Sequence, residues 1–343
     1  MPSSNHQPDR MLHICVIQGD GIGREVVPAA LEILSATGLP FRTTQAEGGW
    51  QCFQRHGISL PEETVEMARN SDAILFGAVS SPSHKVAGYS STIVGLRRQL
   101  DLYANLRPCR SLPIRASRPD VDLLIVRENS EGLYVRRERS DGQTAIAERQ
   151  ITRRGAERIA RIACEQAMQR RRHLTIVHKA NVLPETCGLF RETALSVAGE
   201  YPDLQVDELL VDTMALRLVT DPERFDVIVT SNLFGDILSD EAAGLVGGLG
   251  IAPSANLGDQ GALFEPVHGS APDIAGQGIA NPVAAILAVA MLLDYIGDET
   301  RATTVRNAVH TALHTGPRTP DLGGTASTRE VLLAVRSLVQ NPV

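Results

Sequence analysis

The hydrophobic positions along the chain alternate between short, dense apolar runs and longer amphipathic stretches. Short runs rich in Val, Ile and Leu are typical of strands buried on both faces of a sheet, whereas the longer stretches indicate helices that pack on it. The order of the segments predicts an α/β protein with a mixed sheet and helices on both of its faces. The segments, in chain order, are 12–17, 25–34, 73–76, 123–126, 151–168, 174–177 and 225–229.

The longest apolar run, residues 283–293, ends at Asp294 and is shorter than the roughly 18 residues that a membrane-spanning helix needs. It therefore predicts a buried helix. Residues 1–10 are polar and lack the apolar segment of a signal peptide, so they predict a frayed tail. Both observations favour a cytoplasmic protein with no membrane partner.

Composition and charge narrow the class of protein. With 343 residues, 43% of them hydrophobic, the chain is long enough for two ordinary domains with a substantial core. The net charge of -7 argues against a nucleic-acid partner, because phosphate binding needs a basic surface. The cysteines are scattered without CxxC spacing, which predicts reduced, mostly buried thiols: Cys15, Cys52, Cys109, Cys164 and Cys187.

Lysine is almost absent from this chain. Among 33 basic residues only Lys85 and Lys179 are lysines, and lysine can lose its proton at a functional pH where arginine cannot. For Lys85 a chance remnant of codon bias explains the observation equally well. For Lys179, within the run HKAN, the surroundings favour a function.

The glycine-rich segment 19–24 follows a predicted strand and opens a predicted helix, as a dinucleotide-binding fingerprint would. The third glycine of a GxGxxG pattern is missing, because position 24 is Arg24, and no acidic residue ends a second strand where a ribose partner is expected. The segment therefore predicts a tight turn lining a cleft, and the cofactor site must lie elsewhere.

Two aspartates, Asp236 and Asp240, lie four residues apart on the helix predicted after the strand 225–230. At that spacing both carboxylates project from one face within about 6 Å, which suits a hard divalent cation. Asp212, at the end of another apolar segment, is a third candidate ligand. Ordinary helix acidity is the alternative, with Asp236 as a partner of the helix dipole.

Three arginines stand where apolar segments end: Arg97, Arg107 and Arg127. Charged residues at the carboxyl ends of buried strands point into the crevice where α/β sheets bind ligands, and guanidinium groups suit carboxylates. A surface salt bridge is the alternative for any single arginine, and the better one for Arg98. Taken with the aspartates, the three predict a carboxylate-binding pocket.

Tyr134 follows the polar turn 128–132, and Lys179 follows the run 174–177. Beside a metal and arginines, a phenol and an amine can form a proton-transfer pair, since neighbouring cations lower the pKa of such groups toward neutrality. Residues 265–282 form a loop rich in glycine and proline whose amides can cradle phosphates, with Asp273 able to accept from ribose hydroxyls. A purely structural loop is the alternative.

Six segments of the chain resemble the isocitrate and isopropylmalate dehydrogenase family of β-decarboxylating dehydrogenases. They are GDGIG (19–23), LRRQLDLYANLRP (96–108), VRENSEGLY (126–134), HKAN (178–181), SNLFGDILSD (231–240) and EPVHGSAPDIAGQGIANP (265–282). The resemblance implies an isopropylmalate-dehydrogenase-like, non-Rossmann α/β fold of two domains that share the mixed sheet. Residues 1–102 and 248–343 would form a large cofactor-binding domain, and 103–247 a small domain with the dimer interface.

The same resemblance assigns roles to individual residues. Asp236 and Asp240 would hold Mg2+ or Mn2+, with Asp212 supplied by the second subunit of a homodimer, which can assemble further into a tetramer. Lys179, also from the second subunit, would assist deprotonation of the substrate hydroxyl, and Tyr134 would protonate the enol after CO2 leaves. The substrate, a small tricarboxylate, would contact Ser91, Arg97, Arg107, Arg127, Tyr134, Lys179 and Asn181.

The cofactor would lie on the loop within residues 268–281. Asp273 and Ile274 stand where NADP-dependent relatives carry a lysine and a tyrosine, and a carboxylate repels a 2'-phosphate, so NAD is favoured. The residues implied are His268, Gly269, Ser270, Ala271, Asp273, Ile274 and Asn281.

The segment before Arg97 bears on the substrate. Isopropylmalate enzymes carry a glutamate and two leucines there, and NAD-dependent isocitrate enzymes a serine and an asparagine; this chain has Ser91 and, in place of the asparagine, Ile93. The run KVAGYSSTIVGLRR is most similar to the homoisocitrate-oxidising branch, which serves lysine formation. Val94 stands where another branch of those enzymes has arginine, so isocitrate and isopropylmalate stay open as substrates.

Two other classes of protein account for the sequence less well. Some members of the family have become silent regulatory subunits, but this chain retains the tyrosine, the lysine and the three aspartates of the active forms. A nonenzymatic ligand-binding module would leave the retained Lys179 and the paired aspartates without a purpose. The sequence therefore predicts an NAD-dependent, metal-requiring oxidoreductase that oxidises and decarboxylates a 2-hydroxy acid.

Overall fold

A computed structural model describes residues 11–84 and 86–341 of the chain. The predicted tail, residues 1–10, and Lys85 lie outside this range. Contacts group the described residues into two compact units, named here the middle unit (103–111 and 118–246) and the terminal unit (11–84, 86–102, 112–117 and 247–341). The domain boundaries and roles expected from the sequence stay a prediction.

Strands form wherever the sequence has a short, dense apolar run. The runs 12–17, 73–76, 123–126 and 174–177 each fall on a strand, as predicted, and the run 225–229 overlaps a strand that begins two residues later, at Val227. The strands are β1 (Leu12–Gly19), β2 (Phe41–Gln45), β3 (Ala73–Ala78), β4 (Ala104–Arg110), β5 (Asp122–Glu128), β6 (Glu138–Ser140), β7 (Ala145–Ala147), β8 (His173–His178), β9 (Gln205–Leu210), β10 (Val227–Thr230), β11 (Pro253–Leu257) and β12 (Ala262–Pro266).

Helices occupy the amphipathic stretches between the strands, including the two predicted at 25–34 and 151–168. Four short 3-10 turns among the described residues supplement them, at 133–135, 222–224, 249–251 and 320–322. The helices are α1 (Gly23–Ala36), α2 (Trp50–His56), α3 (Glu62–Arg69), α4 (Thr92–Gln99), α5 (Arg153–Met168), α6 (Thr186–Ala198), α7 (Val211–Thr220), α8 (Asn232–Val246), α9 (Val283–Tyr295), α10 (Glu299–Thr315) and α11 (Thr328–Gln340).

In the terminal unit, five strands of a mixed sheet pair in the order β2-β1-β3-β12-β11. All neighbours are parallel except β11, which runs antiparallel to β12. Every residue of β3 is buried, as expected for a strand covered on both faces. Helix α9 carries the longest apolar run and packs against α1 and α10, so the prediction of a buried helix is confirmed.

In the middle unit, five strands of a mixed sheet pair in the order β4-β5-β10-β8-β9. Only β4 is antiparallel to its neighbour, with Arg107 opposite Ile125 and Asn105 opposite Arg127. Helices α5 and α8 pack on this sheet. Strands β6 and β7 form a short antiparallel hairpin whose residues are all exposed. The chain is therefore an α/β protein, as its hydrophobic pattern predicts.

The five cysteines are all free and buried, which confirms the reading of the sequence. Burial raises the pKa of Cys15 to about 11 and the pKa values of Cys109 and Cys164 to about 12, because a thiolate is poorly solvated in an apolar interior. In the part of the chain that the structure describes, no helix is long and apolar enough to cross a membrane.

Candidate active site

The two aspartates predicted to bind metal face one guanidinium group in the middle unit. Asp236 and Asp240 lie one turn apart on α8, and the Nη1 atom of Arg107 is 3.4 Å from Oδ1 of Asp236 and 3.0 Å from Oδ1 of Asp240. Their oxygen atoms therefore converge on a single point, as the four-residue spacing predicts. Burial raises the pKa of Asp240, while the charge of Arg107 opposes that change.

Arg127 forms the second ion pair of this cluster. It is 1% exposed, and its Nη1 group donates to Asp236. Nε and Nη2 donate to Oδ1 of Asn232 over 3.1 and 2.7 Å, and the side-chain amide of Asn232 donates in turn to the backbone of Glu131. A buried guanidinium group held on two sides cannot swing away, so its position is set before any ligand arrives.

Arg107 is oriented by two polar side chains that sequence reasoning missed. Its Nε donates to Oδ1 of Asn105 over 2.8 Å, and its Nη1 donates to Oγ of Ser239 over 2.7 Å. Asn105, Ser239 and Asn232 are all buried. Polar residues within buried elements need hydrogen-bond partners, and that rule is the signal by which the sequence could have pointed to them.

The predicted strand-end positions of the arginines are wrong in two of three cases. Arg107 lies within β4 and Arg97 lies in the last turn of α4, whereas Arg127 is near the end of β5 as expected. Arg97 belongs to a helix rather than to a strand, and pairing with β5 extends β4 through Arg110, so Arg107 lies inside the strand rather than at its end.

Tyr134 belongs to the same cluster through Asp236. Its hydroxyl donates to Oδ2 of Asp236 over 2.6 Å, and the guanidinium carbon of Arg127 is 5.2 Å from its ring centroid. Burial and the hydrogen bond to Asp236 raise the pKa of Tyr134, and the charge of Arg127 only partly offsets them. Arg127 therefore acts on this pKa in the expected direction without bringing it toward neutrality, and the lowering expected beside a bound metal ion stays a prediction.

Lys179 and Asp212 form a separate pair in the middle unit. The Nζ group of Lys179, just after β8, donates to Oδ1 of Asp212 in the first turn of α7. This bond lowers the pKa of Asp212. The predicted substrate contact Asn181 is exposed in the turn that follows.

A divalent cation fits the acidic pair in part. Asp236 and Asp240 offer converging carboxylates, and Mg2+ is commonly held by one or two carboxylates with water and substrate oxygens completing its shell. Within residues 11–84 and 86–341, no three His, Cys, Asp or Glu side chains lie close enough to hold a metal. A single copy of the chain therefore does not bring Asp212 to the other two predicted ligands.

In the terminal unit, Arg97 is held by a buried carboxylate. Its Nη2 donates to Oε1 of Glu265 over 3.0 Å, and the same oxygen accepts from Asn256 over 2.7 Å. The Nε group of Arg97 is buried and has no hydrogen-bond partner among the described residues. An unsatisfied buried donor on a cation is a ready partner for an anionic ligand.

The segment before Arg97 is fastened to the terminal unit. The hydroxyl of Tyr89 donates to the backbone of Ser80 over 2.9 Å, and the Tyr89 ring packs edge-on against Trp50 and Phe53. Ser59 donates to the backbone of Ser90 over 2.6 Å. These bonds engage Tyr89 and Ser90, whereas Ser91 precedes α4 without capping it with its side chain.

Residues 268–281, named here the cofactor loop, contain one buried acceptor atom that is suited to bind a nucleotide. Nδ1 of His268 lies 2.9 Å from the carbonyl oxygen of Gly269, which can only accept, so Nδ1 carries the proton. Nε2 is then a buried acceptor with no partner among the described residues. Burial lowers the pKa of His268, which keeps the ring neutral and able to accept from a hydroxyl or an amine.

The other predicted cofactor residues are placed as follows. Gly269 and Asp273 are exposed, and Ile274 is half-buried. Ser270 is buried, and its hydroxyl lies 2.7 Å from that of Ser80. Ala271 adopts a left-handed backbone with φ of +38°, a strained conformation often found in ligand-binding loops. The side chain of Asn281 donates to Asp321 and accepts from the amide of Val283, so both its ends are engaged.

Comparison with known proteins identifies the family. The profile of the isocitrate/isopropylmalate dehydrogenase family matches residues 13–335. The isocitrate/homoisocitrate dehydrogenase of Thermus thermophilus is 58% identical over 323 residues, which cover 94% of this chain and 97% of that protein. The 3-isopropylmalate/3-methylmalate dehydrogenase of Methanocaldococcus jannaschii is 50% identical over 338 residues, covering 96% of this chain and 99% of the relative.

A solved structure agrees with the sequence relatives. The crystal structure of isocitrate dehydrogenase from Methylococcus capsulatus superposes with a TM-score of 0.92 at 42% identity, covering 96% of this chain and all of that one. The chain therefore has the fold of this family and belongs to the isocitrate/isopropylmalate dehydrogenases. The family resemblance predicted from the sequence motifs is confirmed.

Proposed function

We propose that the protein oxidises homoisocitrate with NAD and decarboxylates it to 2-oxoadipate and CO2. The observation that carries this proposal is the cluster in the middle unit, where two arginines, two converging carboxylates and a protonated phenol meet. This combination suits a β-decarboxylating dehydrogenase, which must hold carboxylates, bind a divalent cation and return a proton to carbon.

The charges of the cluster favour a tricarboxylate once a cation is bound. Arg107 and Arg127 balance Asp236 and Asp240, so the four side chains carry no net charge and a divalent cation would leave a net charge of +2. A multiply charged anion is drawn to such a centre. Asp236 and Asp240 would hold Mg2+ or Mn2+, which would supply Lewis-acid polarisation of the substrate oxygens, and NAD would supply the hydride acceptor.

Two side chains would move protons. The raised pKa of Tyr134 keeps its phenol protonated at neutral pH, as a group that donates to the enol carbon must be. Lys179 would take the proton of the substrate hydroxyl, which an amine can do near neutral pH and a guanidinium group cannot.

The proposal requires a homodimer in which Lys179 and Asp212 complete the site of a second copy. Both belong to the same surface pair, and apolar side chains are exposed on the same unit, where isolated soluble surfaces seldom place several. They are Val182, Leu216, Val219 and Ile237, each more than half exposed. Light scattering of the purified protein would test for the dimer, and for any tetramer built from it.

NAD is proposed over NADP because of Asp273. Its exposed carboxylate on the cofactor loop would repel a 2'-phosphate, and the neutral His268 ring offers an acceptor rather than a cation. The five free thiols fit a reducing compartment such as the cytoplasm.

The choice of homoisocitrate rests on the segment before Arg97 and on the relatives. The Ser91 side chain makes no capping bond to α4, and Ile93 packs on the apolar core of the terminal unit. The 58% identical relative is named for both isocitrate and homoisocitrate, whereas a 50% identical one is named for isopropylmalate and methylmalate. Isocitrate and isopropylmalate are therefore the alternatives, and lysine formation is the pathway proposed.

One kinetic comparison tests the proposal. We expect kcat/KM to fall in the order homoisocitrate, isocitrate, 3-isopropylmalate with NAD and Mn2+. The shorter arm of isocitrate and the alkyl arm of isopropylmalate would leave unpaired the polar groups that receive the distal carboxylate of homoisocitrate. Each substrate is also assayed with NADP and without metal. Equal or better kcat/KM for isocitrate would replace homoisocitrate as the substrate, and activity that survives chelation would remove the metal from the mechanism.

A further inference from the structure

The GDGIG turn has no place in the reaction described above, although it begins at the end of β1 and leads into α1. In the structure it lies directly against the cofactor loop. The amide of Ile22 donates to the carbonyl oxygen of Ser270 over 2.9 Å. Gly21 has a φ of +53°, and a Cβ atom there would come within 2.0 Å of the same oxygen. Only glycine at position 21 permits this close approach.

Glu25, in the first turn of α1, binds the far end of the same loop. Its two carboxylate oxygens accept from the amide of Gly276 over 2.7 Å and from the amide of Gly278 over 3.1 Å. Both glycines have left-handed backbones, with φ of +80° and +68°. That conformation is costly for other residues, and here it turns two alternate amides toward one anion.

A simpler explanation of Glu25 is that its charge only stabilises α1, because an anion in the first turn of a helix interacts favourably with the helix dipole. That explanation requires the charge but not the reach of the side chain. The two hydrogen bonds to the loop require both. Aspartate at position 25 would retain the charge near the helix terminus and shorten the side chain by one methylene, so it separates the two roles.

We propose that Glu25 is a positioning residue for the cofactor, which holds the cofactor loop in its binding conformation without touching the reacting atoms. The inference rests on the proposed role of residues 268–281 in binding the adenosine half of the dinucleotide. Without the Glu25 side chain, the amides of Gly276 and Gly278 lose their carboxylate acceptor. The cofactor must then order the loop when it binds, and the cost of that ordering reduces its binding free energy. The effect therefore falls on cofactor affinity.

The test compares Glu25→Asp, Glu25→Ala and Glu25→Gln with the control Glu32→Ala in the full-length protein. Glu32 lies on the same helix, where it pairs with Arg329 and Arg336 on the surface. NADH binding is titrated by fluorescence, and kcat and both KM values are measured with the best substrate. Hydrogen exchange of the peptide that covers residues 268–281 is followed without cofactor.

We expect Glu25→Asp and Glu25→Ala to weaken NADH binding and to raise KM for NAD by about 5- to 50-fold, since charge-assisted hydrogen bonds are lost. Glu25→Gln should lie between them and the wild type, because one amide oxygen can still accept. At saturating NAD, kcat should stay within about twofold, as expected when uniform binding is removed. Loop exchange should accelerate in Glu25→Asp and Glu25→Ala, and Glu32→Ala should match the wild type throughout.

Three results would overturn the inference: wild-type NADH affinity in Glu25→Asp, an equal loss in Glu32→Ala, or a fall in kcat at unchanged cofactor affinity. Failure of the proposed cofactor is recognised separately. If the wild type binds NADPH rather than NADH, the affinities and KM values of each variant relative to the wild type are measured with NADPH. Those comparisons then decide whether Glu25 has the positioning role.

Discussion

The side chain of Arg127 passes directly over Gly235, at a position where a Cβ atom would lie 2.6 Å from Cγ of the arginine. Helix α8 thus approaches β5 as closely as it does because residue 235 has no side chain. The next residue, Asp236, is then within reach of the guanidinium group. The close contact between Arg127 and Asp236 therefore depends on the absence of a methyl group at position 235.

Gly235→Ala is therefore expected to displace Arg127 and to lower kcat/KM by about 10-fold or more, since overpacking of a buried site costs 1–3 kcal/mol. Gly244→Ala is the matched control, because a Cβ at that helical position meets nothing within 4 Å. The control should melt at the same or a higher temperature, as alanine favours a helix. Similar kinetics in the two variants would contradict the role assigned to Gly235.

Asp236→Asn should abolish turnover chiefly through loss of metal affinity. Asp236 accepts bonds from both Arg127 and Tyr134, and the variant removes one of two converging anionic ligands from a site suited to a hard ion. Mn2+ titration by calorimetry measures the effect. Glu241→Gln, on the same helix, changes the charge equally and should retain metal affinity. Unchanged Mn2+ binding in Asp236→Asn would rule out the site.

Lys179→Arg tests proton transfer apart from charge. The variant keeps the cation that pairs with Asp212, but a guanidinium group cannot act as a base near neutral pH. We expect kcat to fall on the order of a hundredfold or more with substrate KM little changed. Near-normal kcat would restrict Lys179 to an electrostatic role.

His178 ends β8 directly before Lys179. Variants of His178 should distinguish the roles of its two ring nitrogen atoms. Nδ1 accepts from the amide of Ala180 over 3.1 Å, while Nε2 is buried, has no hydrogen-bond partner among the described residues and lies 3.8 Å from Glu208. His178→Asn places an oxygen near the Nδ1 position and should keep kcat within a few-fold, whereas His178→Gln should not. Equal losses in both would refute this reading.

The same histidine predicts a pH dependence. Burial lowers the pKa of His178 from its usual 6.5, and the charge of Arg191 adds to this effect while that of Glu208 opposes it. A lowered pKa for a base means that its contribution to stability is complete above pH 6.5 and is lost as the pH falls through the folded-state pKa. The melting temperature of the wild type should therefore fall more than that of His178→Asn between pH 7 and 5.

Cofactor choice is tested by replacing the negative charge at position 273, which would repel the 2'-phosphate of NADP, with a positive charge that would attract it. In the double variant Asp273→Lys with Ile274→Tyr, a cation faces the 2'-phosphate, so the preference for NAD over NADP in kcat/KM should shift toward NADP. The wild type is the control. If it already favours NADP, the role of the Asp273 carboxylate is disproved before any variant is made.

Local sequence patterns were sufficient to predict many of the strands, the acidic pair and the family of this protein. Dense apolar runs predicted strands such as β3 and β5, because a strand buried on both faces needs apolar side chains at every position. The four-residue spacing of Asp236 and Asp240 placed both carboxylates on one helix face, because helix geometry is the same in every protein. Ordered motifs along nearly the whole chain identified the family.

Only the tertiary structure decided how these parts act on one another. Pairing with β5 extends β4 past Arg107 to Arg110, and burial together with the hydrogen bond to Asp236 outweighs the lowering effect of Arg127 on the pKa of Tyr134. Neither depends on neighbours in sequence. The contact of Glu25 with Gly276 spans 251 residues. Such effects come from burial and from distances across the fold, which local spacing does not encode.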